Sequence, residues 1–274
     1  MYVETKRITV NGCLVSCLYH GGADGITVVF IHGFPFGKEM WRPQLEALPL
    51  DMNGIAYDIR GFGESEAGHG FFSIDLFADD LFNLIEEFRL EKVVLCGISM
   101  GGYIALRAAE RFPDRFSGLI LCDTNAAADT NESKLKRFSA IQKLQSGGRE
   151  EFTETFLKQV LSVKTREEKP DIVLSIKKMI NALPVNTLCA AQLAMASRTD
   201  TSGILSDIAV PVLIILGKDD PLITAAQAEY FLSEIRKSTF SEISESAHLP
   251  NLENPVAFNK VMKEFLLNLQ HAGA

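Results

Sequence analysis

The chain is short of three things: cysteine, tryptophan and positive charge. It has five cysteines, one tryptophan, and 27 Lys and Arg against 35 Asp and Glu in 274 residues. The cysteine and charge figures each exclude something. The cysteines are odd in number and unrelated in spacing, so no disulfide framework is expected. Cys96 and Cys122 fall inside apolar runs and read as buried free thiols, which fits a reducing cytosol. A formal charge of −8 argues against nucleic acid or an anionic membrane surface as partner. The longest apolar runs, such as Val210 to Leu216, are far too short to span a bilayer. The stretch from Met1 to Arg7 lacks the apolar centre of a signal peptide, so a cytoplasmic location is expected. Metal and nucleotide signatures are missing as well. There is no HExxH, no CxxC pair, no His/carboxylate cluster at ligand spacing, and no GxGxxG after the first parallel strand. Neither a metal nor a cofactor is expected.

What is present is a regular alternation of apolar runs and helix-like segments. Hydrophobic content of 47% is ordinary for a soluble globular chain, and the length suffices for one large α/β core with an insertion. Arg7 to Val10 and Cys13 to Tyr19 flank Asn11-Gly12, a pair that supplies the positive φ angles of a hairpin turn. Continuous apolar runs follow at Ile26–Ile31, Gly54–Tyr57, Lys92–Cys96, Gly118–Cys122 and Val212–Leu216, with a weaker one at Ser238–Ile243. Runs of this kind are the mark of strands buried on both faces. Helices are predicted over Ser73–Arg89, with Ser73 as N-cap, and over Gly101–Phe112, Thr224–Arg236 and Pro255–Leu269. The alternation implies a mostly parallel, eight-stranded sheet with helices on both faces. Between Cys122 and Val212 no strand is evident. Four helix-like pieces replace it, near Glu132–Gln145, Arg149–Leu161, Pro170–Asn181 and Val185–Ala196. Residues 125–205 therefore read as a helical lid inserted into a core made of 1–124 and 206–274.

Gly97-Ile98-Ser99-Met100-Gly101 joins a strand to a helix. A GxSxG at that junction describes a nucleophile elbow, where the two glycines remove side chains that would clash across a tight turn. The motif alone also fits a plain connection whose serine only caps the helix. The rest of the chain decides between them. In an open parallel sheet, ligands bind beyond the carboxyl ends of the strands. Here each apolar run is followed by chemistry: His32-Gly33-Phe34, Asp58, Ser99, Asp123, Asp219-Asp220 and His248. A serine hydroxyl needs a base, and the base needs a carboxylate to fix its tautomer. The order Ser99, Asp220, His248 meets that need. Asp219 and Asp123 are alternatives for the acid. His32 competes with His248 but directly ends a strand, where it ties down the next loop. His20 ends the hairpin, His69 reads as a surface residue and His271 as part of a frayed tail. Backbone N–H groups of Phe34 and Met100 are placed to form an oxyanion hole.

Taken together these residues resemble the α/β-hydrolase superfamily. His32-Gly33-Phe34-Pro35 looks like its oxyanion loop, and Asp58 to Ser65 like its DxRGxGxS loop. Gly217-Lys218-Asp219-Asp220-Pro221 looks like its GxxD acid turn, which selects Asp220, and Ser246 to Glu253 like its histidine loop. Serine at position 99 argues against the members that use a carboxylate nucleophile. Leu121 to Ala126 and the lid layout are similar to 3-oxoadipate enol-lactonases and to cofactor-free haloperoxidase-type esterases. The resemblance implies hydrolysis of a small-molecule ester or lactone. A perhydrolase, a C–C bond hydrolase or a non-catalytic small-molecule receptor on the same fold are the alternatives. Phe36 and Trp41 read equally as pocket or as core. Lys134, Lys136 and Arg137 read as a solvated helix face, with contact to a substrate carboxylate as the alternative.

Overall fold

Asn11 and Gly12 both adopt positive φ, 47° and 72°, and close a tight hairpin between β1 (Glu4–Val10) and β2 (Cys13–His20). The computed structural model describes residues 3–21 and 25–272; the first two residues of the charged N-terminal stretch lie outside them. The remaining strands are β3 (Thr27–Ile31), β4 (Asn53–Tyr57), β5 (Val93–Ile98), β6 (Phe116–Cys122), β7 (Val212–Gly217) and β8 (Ser238–Ile243). They form one eight-stranded sheet in the order β1-β2-β4-β3-β5-β6-β7-β8. Only β2 runs against its neighbours; every pairing from β4 to β8 is parallel. Strands β3 to β5 are enclosed at every residue, which is why they read as unbroken apolar runs. Strand β8, at the edge, is half exposed, and its sequence signal is correspondingly weak.

Helices α1 (Arg42–Leu45), α2 (Ile74–Glu87), α3 (Met100–Arg111), α9 (Ala225–Glu234), α10 (Pro250–Glu253) and α11 (Pro255–Ala272) belong to the sheet layers. Ser73 caps α2, its hydroxyl accepting the Leu76 N–H at 3.0 Å. Helix α11 continues through His271 to Ala272, so His271, expected in a frayed tail, is helical, and residues 273–274 lie outside the described residues. No single helix among the described residues is long and apolar enough to cross a membrane. The five cysteines are all free and buried.

Between β6 and β7 the chain forms five helices: α4 (Asn131–Gln145), α5 (Arg149–Val160), α6 (Val163–Glu168), α7 (Pro170–Ala182) and α8 (Val185–Ala196). The sequence signalled four of these. Helix α6 has six residues, mostly charged or polar, too short to show an apolar period. It forms because Ser162 caps it, the hydroxyl accepting the Thr165 N–H at 3.1 Å. The loop ahead of it is held by Glu253, whose Oε2 accepts the Ser162 N–H at 2.8 Å.

The direction of chain progression reverses at β3. The path goes outward to β4 and returns to β5 on the other side of β3. The carboxyl ends of β3 and β5 therefore diverge at a switch point, where open sheets of this kind keep their ligand crevice.

Candidate active site

Ser99 follows β5 with φ 53° and ψ −117°, a strained pair for any residue with a side chain. The strain is enforced from both sides. Its N–H donates to the Cys122 carbonyl at 3.0 Å, and its carbonyl accepts the Thr124 hydroxyl at 2.9 Å. The turn is possible only with glycine at both flanks. A Cβ on Gly97 would lie 2.3 Å from the Gly101 carbonyl oxygen, and one on Gly101 would lie 2.1 Å from the Ile31 carbonyl oxygen. Helix α3 starts at Met100, so its first N–H groups are free of helical partners. Neither the Met100 nor the Phe34 backbone N–H has a protein acceptor among the described residues. Gly33, between them, brings the β3 loop close to the elbow: a Cβ there would sit 3.3 Å from the Ser99 Cβ.

The loops after β7 and β8 are zipped together by backbone. Lys218 N–H donates to the Ile243 carbonyl and Asp219 N–H to the Ser246 carbonyl, both at 2.9 Å. Gly217 permits this contact, since a Cβ there would fall 1.7 Å from the Ala247 carbonyl oxygen. The zipper brings His248 Nδ1 to 2.7 Å from Asp220 Oδ2. A carboxylate can only accept, so Nδ1 carries the proton and Nε2 is left to accept. Asp220 Oδ1 accepts the Leu222 N–H at 2.7 Å. Burial alone would raise the Asp220 pKa; His248, the Leu222 N–H and the carboxyl of Asp123 outweigh it and hold the group below its ordinary value. Asp219 is exposed.

Ser99 and His248 line one cavity of about 760 Å³ between the sheet edge and the inserted helices. Phe34, Phe152, Phe156, Val160 and Ile223 form its apolar wall. Phe34 meets Phe152 and Phe156 edge to face, with ring centroids 6.3 and 6.1 Å apart. The lining also carries charged and polar side chains, Asp129, Arg137 and Gln192 among them. Arg137 and Arg198 both pair with Asp129, and Arg137 Nη1 also donates to Gln192 Oε1 at 3.2 Å. Burial would raise the Asp129 pKa, but the two guanidinium groups outweigh it and lower it. Of the three basic residues expected on a solvated helix face, Lys136 and Arg137 line the cavity mouth. Lys136 remains open to solvent and pairs with Glu132 at 2.7 Å.

Of the two readings open for Phe36 and Trp41, pocket or core, burial supports core, and neither lines the cavity. Trp41 is fully enclosed between Phe30 and Phe258, with centroids at 5.1 and 6.1 Å. Phe36 is 1% exposed and meets Phe156 of α5, centroid to centroid 5.9 Å. The aromatic lining comes instead from Phe34, from Tyr103 of α3 and from Phe152 and Phe156 of α5.

The match to the α/β-hydrolase fold model spans residues 26–255. This chain belongs to that family. It is 31% identical over 264 residues to 3-oxoadipate enol-lactonase 2 of Acinetobacter baylyi, covering 94% of this chain and 96% of the relative. Among solved structures, a thermophilic esterase from Thermogutta terrifontis, with malate bound, superimposes with a TM-score of 0.89 at 32% identity, covering 97% of this chain and 99% of the esterase. The enol-lactonase from Burkholderia xenovorans superimposes with a TM-score of 0.88 at 25% identity, over 96% of this chain and 100% of that one.

In this α/β hydrolase the positioning groups are buried ion pairs and capping carboxylates that look like surface residues in the sequence. Asp58, after β4, accepts from the Lys38 N–H and the Lys38 ammonium, both at 2.7 Å, and from the Glu64 N–H at 2.9 Å. This clamps the Phe34 loop to the loop after β4. Burial works against the Lys38 ammonium, yet Asp58 and Glu64 outweigh it and raise its pKa. Glu253, fully buried, accepts the Ala247 N–H at 2.8 Å, and His248 N–H donates to the Val160 carbonyl at 3.2 Å. The histidine loop is thus fixed to α5 and to the start of α6. His69 lies outside the cavity, exposed beside a separate surface cleft.

His32 has the tethering place expected of it. Its Nε2 accepts the Ile59 N–H at 3.0 Å and its Nδ1–H donates to the Gly33 carbonyl at 2.9 Å. Burial is the main cause that pushes its pKa from 6.5 down to about 4. The unfolded chain takes up this proton near 6.5 and the native state only near 4. The neutral form's full stability is therefore present above 6.5 and falls with pH below it. The slope is about 1.4 kcal/mol per pH unit until about pH 4. Urea midpoints measured between neutral and mildly acid pH are expected to fall less steeply in His32→Gln than in the parent. Equal slopes would contradict this assignment.

Proposed function

We propose that the protein is a serine hydrolase that cleaves a carboxylic ester or lactone of a small molecule through an acyl-enzyme. The observation that carries this reading is the common cavity of Ser99 and His248, with Asp220 hydrogen-bonded behind the imidazole at 2.7 Å. His248 Nε2 removes the Ser99 hydroxyl proton as Oγ attacks the carbonyl carbon. The carbonyl oxygen becomes an oxyanion, held by the Phe34 and Met100 N–H groups. Each such donor is worth ~10²–10³ in rate. Collapse breaks the bond to the alcohol oxygen, which takes the proton from His248. Water then repeats the sequence, giving its proton to His248 and releasing the acid. Asp220 holds the imidazole in the Nδ1–H tautomer throughout and stabilises its charged form.

The named relatives favour this chemistry, since those compared are an esterase and enol-lactonases. The cavity volume lies within the usual ~300–1,000 Å³ of small-molecule sites. A lining that mixes aromatic with charged side chains suits a substrate with a short apolar part and a polar end. Residues 125–205 act in this reading as the lid. The test is a panel of esters, lactones and amides of varied acyl size, each run against the parent and Ser99→Ala. Esters or lactones are expected to turn over in the parent and to lose roughly 10⁴-fold or more in the variant. Equal rates in both would overturn the reading. So would saturable binding with no turnover, which is the result a receptor gives.

A further inference from the structure

Asp220 has a second carboxyl beside it. Asp123 follows β6 in the left-handed region, φ 43°, and is 1% exposed. Its Oδ1 accepts the Gly217 N–H at 2.8 Å. Its Oδ2 is buried and meets no N–H or O–H donor; what lies next to it is the Asp220 carboxylate. One oxygen of Asp123, one of Asp220 and one imidazole nitrogen of His248 all lie within 4.8 Å of one another. A cation on these three atoms would have to displace the proton that His248 gives to Asp220.

The charge balance decides the protonation. Asp220 is already served as an anion by the His248 Nδ1–H and the Leu222 N–H. A second anion at Asp123 would face it across a short gap between two buried side chains. Two such carboxylates cannot both ionise, and a buried charge without a donor is costly. We infer that Asp123 is a neutral carboxylic acid at neutral pH, its O–H donating to the Asp220 carboxylate, and that it is a positioning residue for the Asp220–His248 pair. The inference rests on the role proposed above for Asp220.

Three further facts fit. Burial first, and then the Asp220 charge, push the Asp123 pKa well up. The titratable groups facing Asp123 are Asp220 after β7, His248 after β8 and the Cys122 thiol of β6, and burial pushes that thiol up too, leaving it neutral. None of them supplies Oδ2 with a standing donor, so the proton does. The consequence is functional. A donor on its far side keeps the Asp220 carboxylate turned toward His248. A neutral Asp123 also spares the imidazole a second negative neighbour, which would raise its pKa and keep it charged when it has to act as base.

The experiment uses the full chain and three readouts. Asp123→Leu, similar in bulk but with no donor, is expected to lower kcat for an activated ester roughly 10- to 100-fold, the worth of a hydrogen bond to a charged group, with KM little moved. Asp123→Asn, which offers an uncharged N–H donor, is expected to recover most of that loss. In the pH profile of kcat/KM, the midpoint of the acid limb is expected to stay with the parent's in Asp123→Asn. Removing a true anion beside His248 would instead move that midpoint down. Infrared spectra at neutral pH are expected to show a protonated-carboxyl carbonyl band in the parent that persists on raising the pH and is missing in Asp123→Asn. A lowered acid limb, an Asn variant as poor as Leu, or no such band would overturn the inference. If the parent turned over no ester, the proposed function would fail, while the infrared band would still decide the state of Asp123.

Discussion

Asp220→Asn is expected to cut kcat for a small activated ester roughly 10⁴-fold, the scale on which loss of the correct imidazole tautomer acts in serine triads, with little change in KM. The size follows from the two hydrogen bonds that the carboxylate accepts. Leu222 N–H donates to Oδ1 and His248 Nδ1 lies against Oδ2, each at 2.7 Å. An amide has one acceptor oxygen. Turned toward Leu222, it presents its NH₂ to Nδ1, which forces the proton onto Nε2 and aims an N–H at Ser99. Turned toward His248, it sets donor against donor at Leu222. Both arrangements spoil the base. Asp219→Asn is the control, because Asp219 is exposed and only its backbone takes part in the zipper; its rates are expected within about twofold of the parent, as for surface changes generally. The reverse pattern, loss at Asp219 or Asp123 with Asp220→Asn intact, would assign the acid elsewhere. Far-ultraviolet circular dichroism of each variant separates these outcomes from unfolding.

The second large effect is on stability. Gly101→Ala is expected to destabilise the protein by about 4 kcal/mol or more, the range reserved for a named structural clash. The added Cβ would fall 2.1 Å from the Ile31 carbonyl oxygen and 2.9 Å from that of His32. These are backbone atoms of β3 and its loop, and β3 is paired on both sides, to β4 and β5. Neither neighbour can give way without breaking a central ladder. Gly203→Ala is the comparison, since nothing lies within 4 Å of its Cβ position and its φ is unexceptional. Its effect is expected within about 0.5 kcal/mol. Urea midpoints of the three proteins give the answer, and a Gly101→Ala midpoint level with the parent would contradict the close-packed elbow.

The two predictions differ in how visible their grounds were beforehand. Gly97 and Gly101 announce a close approach because no other residue fits, and the strand runs around them are apolar because both sheet faces are covered. Asp220 stood out for its acid turn, but Asp123 also ends a strand. Sequence could not show that both carboxyls share one buried corner, since that depends on the spacing of β6 and β7. Lys38 gave no signal, and Asp58 and Glu253 stood out only as members of their loops, with no sign of what they hold. A buried ion pair and a carboxylate that caps distant N–H groups have the composition of surface residues, and only the contacts distinguish them. Trp41 and Phe36 show an ambiguity that sequence leaves open. A large aromatic near a functional loop reads as either core or pocket, and here burial makes both core. The cavity aromatics Phe152 and Phe156 lie on α5, a helix with five acidic or basic residues in its twelve, where two phenylalanines gave no sign of facing a ligand.

The central claim is that Ser99 is the nucleophile of a hydrolase, and a rapid-mixing burst measured together with the mass of the trapped protein tests it most directly. With a slowly deacylating activated ester, the parent is expected to release close to one equivalent of leaving group before the steady state. Acid quench during that phase is expected to show one acyl group on the peptide that carries Ser99. Ser99→Ala is expected to show neither. A burst of equal size in the variant, or an acyl group on another side chain of the parent, would contradict the account.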